Sequence, residues 1–207
     1  MNNYLIALLF LLFPGGEKFL NEIDLYQQES YFKQKVYQEH DYKSFAGLKE
    51  VKEIVNPDNY DFHLLNAAVF FATNKLRDEK KLKQLKYSAN LRDAAAVHAY
   101  QMVDKKFFDH FNSRNLKLRS PEDRIKLFGI TASADGENLD YTFVKMPSQT
   151  TYLQLGEQLV DDWFHSPPHK KNMLSKNFSN LGCAAYFEAK NKDGFRYVKA
   201  TQDFSTP

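Results

Sequence analysis

Cysteine is nearly absent from this 207-residue chain. Cys183 is the only one, so an intramolecular disulfide is excluded. Glycine is scarce as well, with 8 residues, and no glycine-rich phosphate-binding loop occurs. Neither sign of charge dominates: 28 Lys and Arg stand against 26 Asp and Glu, interspersed, for a net charge of +2. A nucleic-acid binder driven by electrostatics would show a one-sided basic excess, so we expect no nucleic-acid partner.

Long apolar runs are missing too. The longest spans residues 4–13 (YLIALLFLLF), which is too short for a membrane-spanning helix of about 20 residues but fits the core of a secretory signal. We therefore predict a signal peptide over residues 1–16, and a secreted, periplasmic or cell-envelope protein. No Lys or Arg precedes the run and no small-residue cleavage site follows it, so a mis-assigned start or a buried first helix is the alternative.

The remaining composition is that of a packed globular protein. Apolar residues make up 43% and charged residues 26%, and aromatic residues are plentiful, with 18 Phe and 12 Tyr. Residues 17–60 have no clean hydrophobic period and predict a helical or irregular N-terminal extension whose aromatic side chains dock on a neighbouring surface. A turn cluster at residues 56–59 (NPDN) ends it, and we place the main domain at residues 61–207.

Helical periodicity begins at Phe62, where apolar residues recur on one stripe. A second helix is predicted to begin near Ser88 or Asn90 and to end at the two lysines 105 and 106. His98 lies on its core face, where a buried, hydrogen-bonded histidine is the simplest interpretation. Ser120-Pro121 predicts the start of a third helix.

A strand is predicted from Asp135, and it contains Glu137. Burying a carboxylate is costly unless it is paired, so Glu137 needs a partner, and a histidine is a natural one. Two further strand-like runs, residues 181–189 and 195–204, are joined by a loop that contains Asp-Gly, which predicts a hairpin.

Two histidines are candidate site residues. His110 follows the end of the second helix, between aromatic residues. His169 follows Ser166-Pro167-Pro168, where a helix over about residues 149–165 must end because the residue before a proline avoids the α region. A short helix can restart after the prolines, which fixes His169 at a rigid corner.

Five segments agree in order and spacing with one family: AAxxHAxxM at residues 94–102, FFDH at 107–110, GENL at 136–139, WxxSPPHKKNML at 163–174 and NLGCA at 180–184. Over about residues 64–204 the chain resembles the CAP superfamily, or SCP domain (cysteine-rich secretory proteins, antigen 5 and pathogenesis-related proteins). It looks most like the bacterial branch, which lacks the disulfides of eukaryotic members.

The resemblance implies an α+β fold: a three-layer α-β-α sandwich with a central antiparallel sheet and a shallow cavity. It also implies that two histidines and two acids line that cavity and can hold a divalent ion such as Zn²⁺. Carried over, these are His110, His169, Glu137 and, as the nearest match for the second acid, Glu157. Some members place that acid five residues before the tryptophan, where this chain has Gln158. Further cavity-lining candidates are Asn138, Trp163, Ser166 and Phe108.

Two imidazoles with one or two carboxylates can bind Zn²⁺ and leave a position for water, which is the arrangement of a metal hydrolase. However, no separate general base and no HExxH helix can be identified. Ser166 precedes His169, but it is better explained as an end-of-helix residue than as a nucleophile. Cys183 lies inside a predicted strand and is more simply a small core residue.

Three functions remain open from the sequence. The favoured one is an exported, non-enzymatic module that binds a lipid or sterol, an extracellular protein or a cell-wall partner, with its ligand surface beside Trp163, Phe164 and residues 107–108. The second is a metal-dependent hydrolase of peptides or cell-wall material. The third is an envelope-associated structural protein in which the four cavity residues only hydrogen-bond one another.

Overall fold

The computed structural model describes residues 16–190 and 193–207. The predicted signal peptide, apart from its last residue, lies outside this part of the chain. Within the described residues, none of the helices is both long enough and apolar enough to cross a membrane.

The N-terminal segment is built from short helical pieces, as the sequence predicts. Its α-helices are α1 (Glu17–Leu20), α2 (Val36–Glu39) and α3 (Tyr42–Gly47), with 3₁₀ turns at Asp24–Gln27, Tyr31–Lys33 and Glu50–Lys52 between and after them. Its aromatic side chains dock on the next helix: Tyr37 contacts Phe70 edge-on at 5.0 Å between ring centroids, and Phe45 stacks on Phe71 at 4.3 Å. Phe45 is fully buried, so this segment belongs to the same hydrophobic core as the rest.

The main helices begin and end at the residues that cap them. Their ranges are α4 (Phe62–Glu79), α5 (Ala89–Asp104), α6 (Pro121–Leu127), α7 (Tyr152–His165) and α8 (Pro167–Met173). Ser88 caps α5, and Ser120 with Asp123 forms a capping box on α6, which confirms both predicted starts. Gly129, with φ at +81°, follows the end of α6 in the left-handed region that glycine tolerates best.

A four-stranded sheet lies at the centre. Its strands are β1 (Lys86–Tyr87), β2 (Asp135–Lys145), β3 (Asn180–Phe187) and β4 (Phe195–Ser205), and their order in the sheet is β1-β3-β4-β2. β3 and β4 pair antiparallel, as do β4 and β2, and the short β1 is parallel to β3. The antiparallel pairing predicted for the last two strands is confirmed, and β2 is an outer strand.

Helices cover both faces of this sheet, which gives the predicted α-β-α sandwich. Alternate side chains of β4 show the two sides: Lys199 donates to the carbonyl of Met102 in α5, whereas Gln202 donates to Thr73 in α4. Helices α5 and α6 form one layer, and α4, α7 and α8 form the other. Side chains at successive positions of β2 therefore face different layers, and this alternation determines the site.

Candidate functional site

His110 is held at the edge of the sheet by a carboxylate. Its Nδ1 lies 2.8 Å from Glu137 Oε1, and 43% of its side chain is exposed. The hydrogen bond to Glu137 raises the pKa of His110 above its ordinary value, against the opposing effect of partial burial. The predicted pairing of Glu137 with a histidine is present in the structure, and the ring is oriented with one edge toward solvent.

Arg124 is the second partner of Glu137, and it was not expected from the sequence. Its Nη2 lies 2.5 Å from Glu137 Oε2 and 3.1 Å from the carbonyl of His110, while Nη1 donates to the carbonyl of Leu118. Arg124 is fully buried. It precedes the buried Phe128 by four positions, and this shared helical face was the available sequence signal.

Glu137 is therefore an ionised group under the surface. Burial alone would raise its pKa, but the neighbouring His98 and Arg124, together with the hydrogen bonds from His110 and Arg124, outweigh burial and hold the pKa below its ordinary value. Each carboxylate oxygen already has a short hydrogen bond to a side chain. Glu137 thus serves to position His110 and to neutralise Arg124.

His98 is buried beneath this group, as its place on the core face of α5 predicts. Its Nε2 lies 3.0 Å from the carbonyl of Asp109, so Nε2 carries the proton and donates. Burial lowers the pKa of His98 to about 4, which makes the ring neutral at physiological pH. Because Asp109 directly precedes His110, this hydrogen bond fixes the backbone that presents His110.

Asp203 is a further buried acid that the sequence did not single out. It pairs with Glu137 in the register of β2 and β4 and is completely inaccessible to solvent. Burial, and then the charge of Glu137, raise the pKa of Asp203 well above its ordinary value. The shift opposes a second negative charge next to Glu137.

His169 reaches the same region from the opposite layer. It lies in the first turn of α8, after the two prolines, and its carbonyl accepts a hydrogen bond of 3.1 Å from the Asn138 side chain. Asn138 is fully buried and also contacts Gln202 and Asn172. Partial burial and the nearby charge of His110 lower the pKa of His169. The pKa values of the two histidines are therefore shifted in opposite directions.

The other candidates make no side-chain hydrogen bond to either histidine in the described part of the chain. Glu157 forms an ion pair of 2.7 Å with Lys75 between α7 and α4, and Gln158 donates to Thr142 of β2. Trp163 is fully buried in the core, so it does not face an open cavity. Ser166 is the residue between α7 and α8 and makes no side-chain capping bond.

The donor set does not fit a resident Zn²⁺ or similar ion. Among the described residues, no three His, Cys, Asp or Glu side chains are grouped so that they could hold a metal. Glu137 uses both oxygens for His110 and Arg124. The positive Arg124 guanidinium, 2.5 Å from Glu137 Oε2, would also repel a metal cation bound to this carboxylate. The two histidines alone fall short of the three protein ligands of a catalytic zinc site.

Exposed aromatic rings continue from His110 along the sheet. We call Phe108, Tyr141, Phe143, Phe195 and Tyr197 the aromatic strip. Phe108, Tyr141 and Phe143 are 47%, 45% and 49% exposed. Phe108 contacts Tyr141 at 5.8 Å between centroids, Tyr141 contacts Tyr197 at 5.4 Å, and Phe143 contacts Phe195 at 4.9 Å. Exposed apolar rings in one connected group are characteristic of interaction surfaces.

Comparison with known protein families identifies the class of domain to which this α-β-α sandwich belongs. The model of the cysteine-rich secretory protein family, CAP, matches residues 70–204. The chain belongs to this family, which confirms the resemblance seen in its motifs.

Two curated relatives come from Bacillus subtilis. The uncharacterized protein YkwD is 34% identical over 110 residues, which cover 53% of this chain and 38% of the relative. The uncharacterized membrane protein YlbC is 26% identical over 110 residues, covering 53% of this chain and 28% of the relative. The matched region therefore spans less than half the length of either relative.

Solved structures support the fold. An extracellular protein with an SCP domain from Bacillus anthracis superposes with a TM-score of 0.56 at 23% identity, over 74% of this chain and 44% of that one. An outer surface protein from Borrelia burgdorferi gives a TM-score of 0.51 at 15% identity, over 75% of this chain and 99% of that one.

Proposed function

We propose that this chain is a non-enzymatic binding module that acts outside the cell, at the cell surface or in the envelope. Two structural neighbours, described as an extracellular protein and an outer surface protein, support this location. The apolar run at residues 4–13 supports it as well, since it has the length of a signal core.

The observation that carries the proposal is the continuity of the aromatic strip with the His110 region. Phe108 is two residues from His110, and Tyr141 and Phe143 follow Glu137 at alternate positions on the same face of β2. Three rings of this size, each about half exposed, are costly to leave in water. A partner that covers them would recover that free energy.

Polar groups around the rings indicate a partner that is not purely apolar. Tyr141 donates to Glu188 at 3.2 Å, Tyr197 donates to Asp193 at 2.9 Å, and the Lys199 ammonium lies 5.2 Å from the centre of the Tyr141 ring. Rings bordered by hydrogen-bonding groups are typical of protein interfaces. We therefore favour an extracellular protein or cell-wall partner over a lipid or sterol held only by its hydrocarbon.

Catalysis is not part of the proposal. The metal-dependent hydrolase considered from the sequence needs a third ligand, and Glu137 is already committed to His110 and Arg124. The sequence also suggested that the cavity residues only hydrogen-bond one another. In this proposal, the hydrogen bonds of Glu137 hold His110 beside the binding surface.

The test measures retention of the purified protein on isolated cell-wall sacculi, with sterol-containing vesicles as the lipid arm. The triple variant Phe108→Ser/Tyr141→Ser/Phe143→Ser removes the exposed rings, and Ile54→Ser/Leu116→Ser removes two exposed apolar side chains elsewhere. We expect the first variant to lose at least about tenfold in affinity, which is about 1.4 kcal/mol, and the second to bind like the wild type. Equal binding by all three proteins, or retention only on vesicles, would contradict the proposal.

A further inference from the structure

Positive charge is concentrated in two segments of this nearly neutral chain. Residues 80–92 contain four lysines and no Asp or Glu, and residues 163–187 contain three lysines and no Asp or Glu. The structure shows that the two acid-free segments are neighbours, so their charges add on one surface.

Arg77 joins the two segments through their backbones. Its Nε donates to the carbonyl of Lys83 at 2.9 Å, and its Nη1 donates to the carbonyls of Met173 and Ser175 at 2.6 and 2.9 Å. Arg77 is buried, so this connection is protected from water. The loop after α4 and the end of α8 are therefore held side by side.

We call the lysines at both sides of this connection the lysine patch: Lys80, Lys81, Lys83, Lys170, Lys171 and Lys176. Two of them meet on one ring, because the ammonium groups of Lys80 and Lys170 lie 5.2 Å and 4.0 Å from the centre of Phe164. Within the described chain, no carboxylate lies within ion-pair distance of any of the six. Glu79, Glu157 and Asp161 line the same pocket as Lys80 and Phe164, but none of them pairs with a lysine of the patch. Ammonium groups that are not used in ion pairs favour an anionic ligand.

We propose that the lysine patch binds a linear polyanion with closely spaced phosphate groups. Ammonium groups act as point charges and accept phosphate oxygens without a fixed geometry. The large apolar side chains that are exposed in the described structure lie outside the patch, so it offers no side chain to insert into a bilayer. Phe164 lies under two ammonium groups and is not free to stack on a nucleic-acid base.

The test measures the affinity of the whole chain for long-chain inorganic polyphosphate at several salt concentrations. The variant Lys80→Ala/Lys170→Ala removes the two convergent charges. Its matched control, Lys105→Ala/Lys126→Ala, removes two exposed lysines that already pair with Asp104 and Glu122. We expect about a tenfold loss in the patch variant and a salt slope that falls by roughly one to two, with little change in the control.

A second arm uses vesicles of phosphatidylcholine and phosphatidylglycerol as the other source of phosphate. Tighter binding to these vesicles than to polyphosphate, or equal losses in the patch and control variants, would overturn the proposal, as would no polyphosphate binding by the wild type. The triple variant of the aromatic strip should retain polyphosphate binding. This result would separate the lysine patch from the binding surface proposed above, so that either can fail alone.

Discussion

Strand β2 buries a charged cluster on one side and a neutral cluster on the other. Toward α5 and α6, Glu137 binds Arg124 and His110. Toward α4 and α8, the next residue, Asn138, binds Gln202 and the carbonyl of His169, and also accepts a hydrogen bond from Asn172. Each cluster positions one histidine at the same sheet edge.

The difference lies in what happens when a partner is lost. An amide cluster that loses one member keeps only neutral unpaired groups, which cost about 1–3 kcal/mol each. A buried carboxylate that loses its guanidinium is an uncompensated charge, which costs more. The charged side therefore contributes a stronger constraint on His110, and the neutral side holds His169 with less dependence on pH.

The largest expected effect comes from Arg124→Met. This change keeps much of the buried volume and leaves the Glu137 carboxylate without its guanidinium partner, so we expect the free energy of unfolding to fall by about 3–5 kcal/mol. Urea denaturation at neutral pH measures it. The double variant Arg124→Met/Glu137→Gln removes the stranded charge and should recover part of the loss. A double variant that is as unstable as the single one would show that charge is not the cause.

On the neutral side, Asn138→Ala should cost less, about 1–3 kcal/mol, because the groups left unpaired carry no net charge. The same urea experiment measures it, at pH 6 and at pH 8. The loss should be similar at both values, since no titrating carboxylate is involved. A loss larger than that of Arg124→Met would reverse the order of the two sides.

Much of the fold could be predicted because local rules determine it. Ser88 and Ser120 mark helix starts, and Pro167 separates α7 from α8, as the residue types alone indicate. The short parallel strand β1 could not be predicted, since two residues carry no period. The close packing of β3 on α5 also depends on tertiary structure: a side chain at Gly182 would collide with the Arg92 backbone.

The site was predicted less completely, because its contacts join distant segments. Glu137 had to have a partner, and His110 is one, but a buried arginine in α6 could be found only by following the face that it shares with Phe128. Asp203 becomes a neighbour of Glu137 only through the register of β2 and β4. The family resemblance indicated Glu157 as the nearest match for the second acid, yet the direction of that side chain depends on how α7 packs, and it points to Lys75.

The pKa of one histidine should lie above the ordinary value of about 6.5, and the pKa of the other should lie below it. His110 has a raised pKa, so its contribution to stability is present below pH 6.5 and is lost as the pH rises through its folded pKa. His169 has a lowered pKa, so its contribution is present above pH 6.5 and is lost as the pH falls below that value. NMR titration of both rings measures this, and a shared pKa would contradict the comparison.

The variants His110→Gln and His169→Gln show how each histidine's pKa shift contributes to the pH dependence of the free energy of unfolding. Subtracting each variant's free energy of unfolding from that of the wild type between pH 5 and pH 8 should give curves that slope in opposite directions. Both rings are partly exposed, so solvent reduces the size of each slope but not its sign. Two curves with the same sign would mean that another group, such as His98, dominates both measurements.

The smallest effect on stability is expected for a substitution of Glu157. The same substitution distinguishes Glu157 from Glu137, the other acid that the family resemblance assigned to the cavity. The Lys75 and Glu157 side chains are 45% and 39% exposed, so Glu157→Gln should change the free energy of unfolding by only about 0–1 kcal/mol. It should also leave the pKa of His110 unchanged. Glu137→Gln should lower that pKa, because it removes the charge that stabilises the protonated ring. If Glu157→Gln moved the His110 titration as far as Glu137→Gln does, Glu157 would have to lie close to that histidine in solution, and the site would have two acids after all.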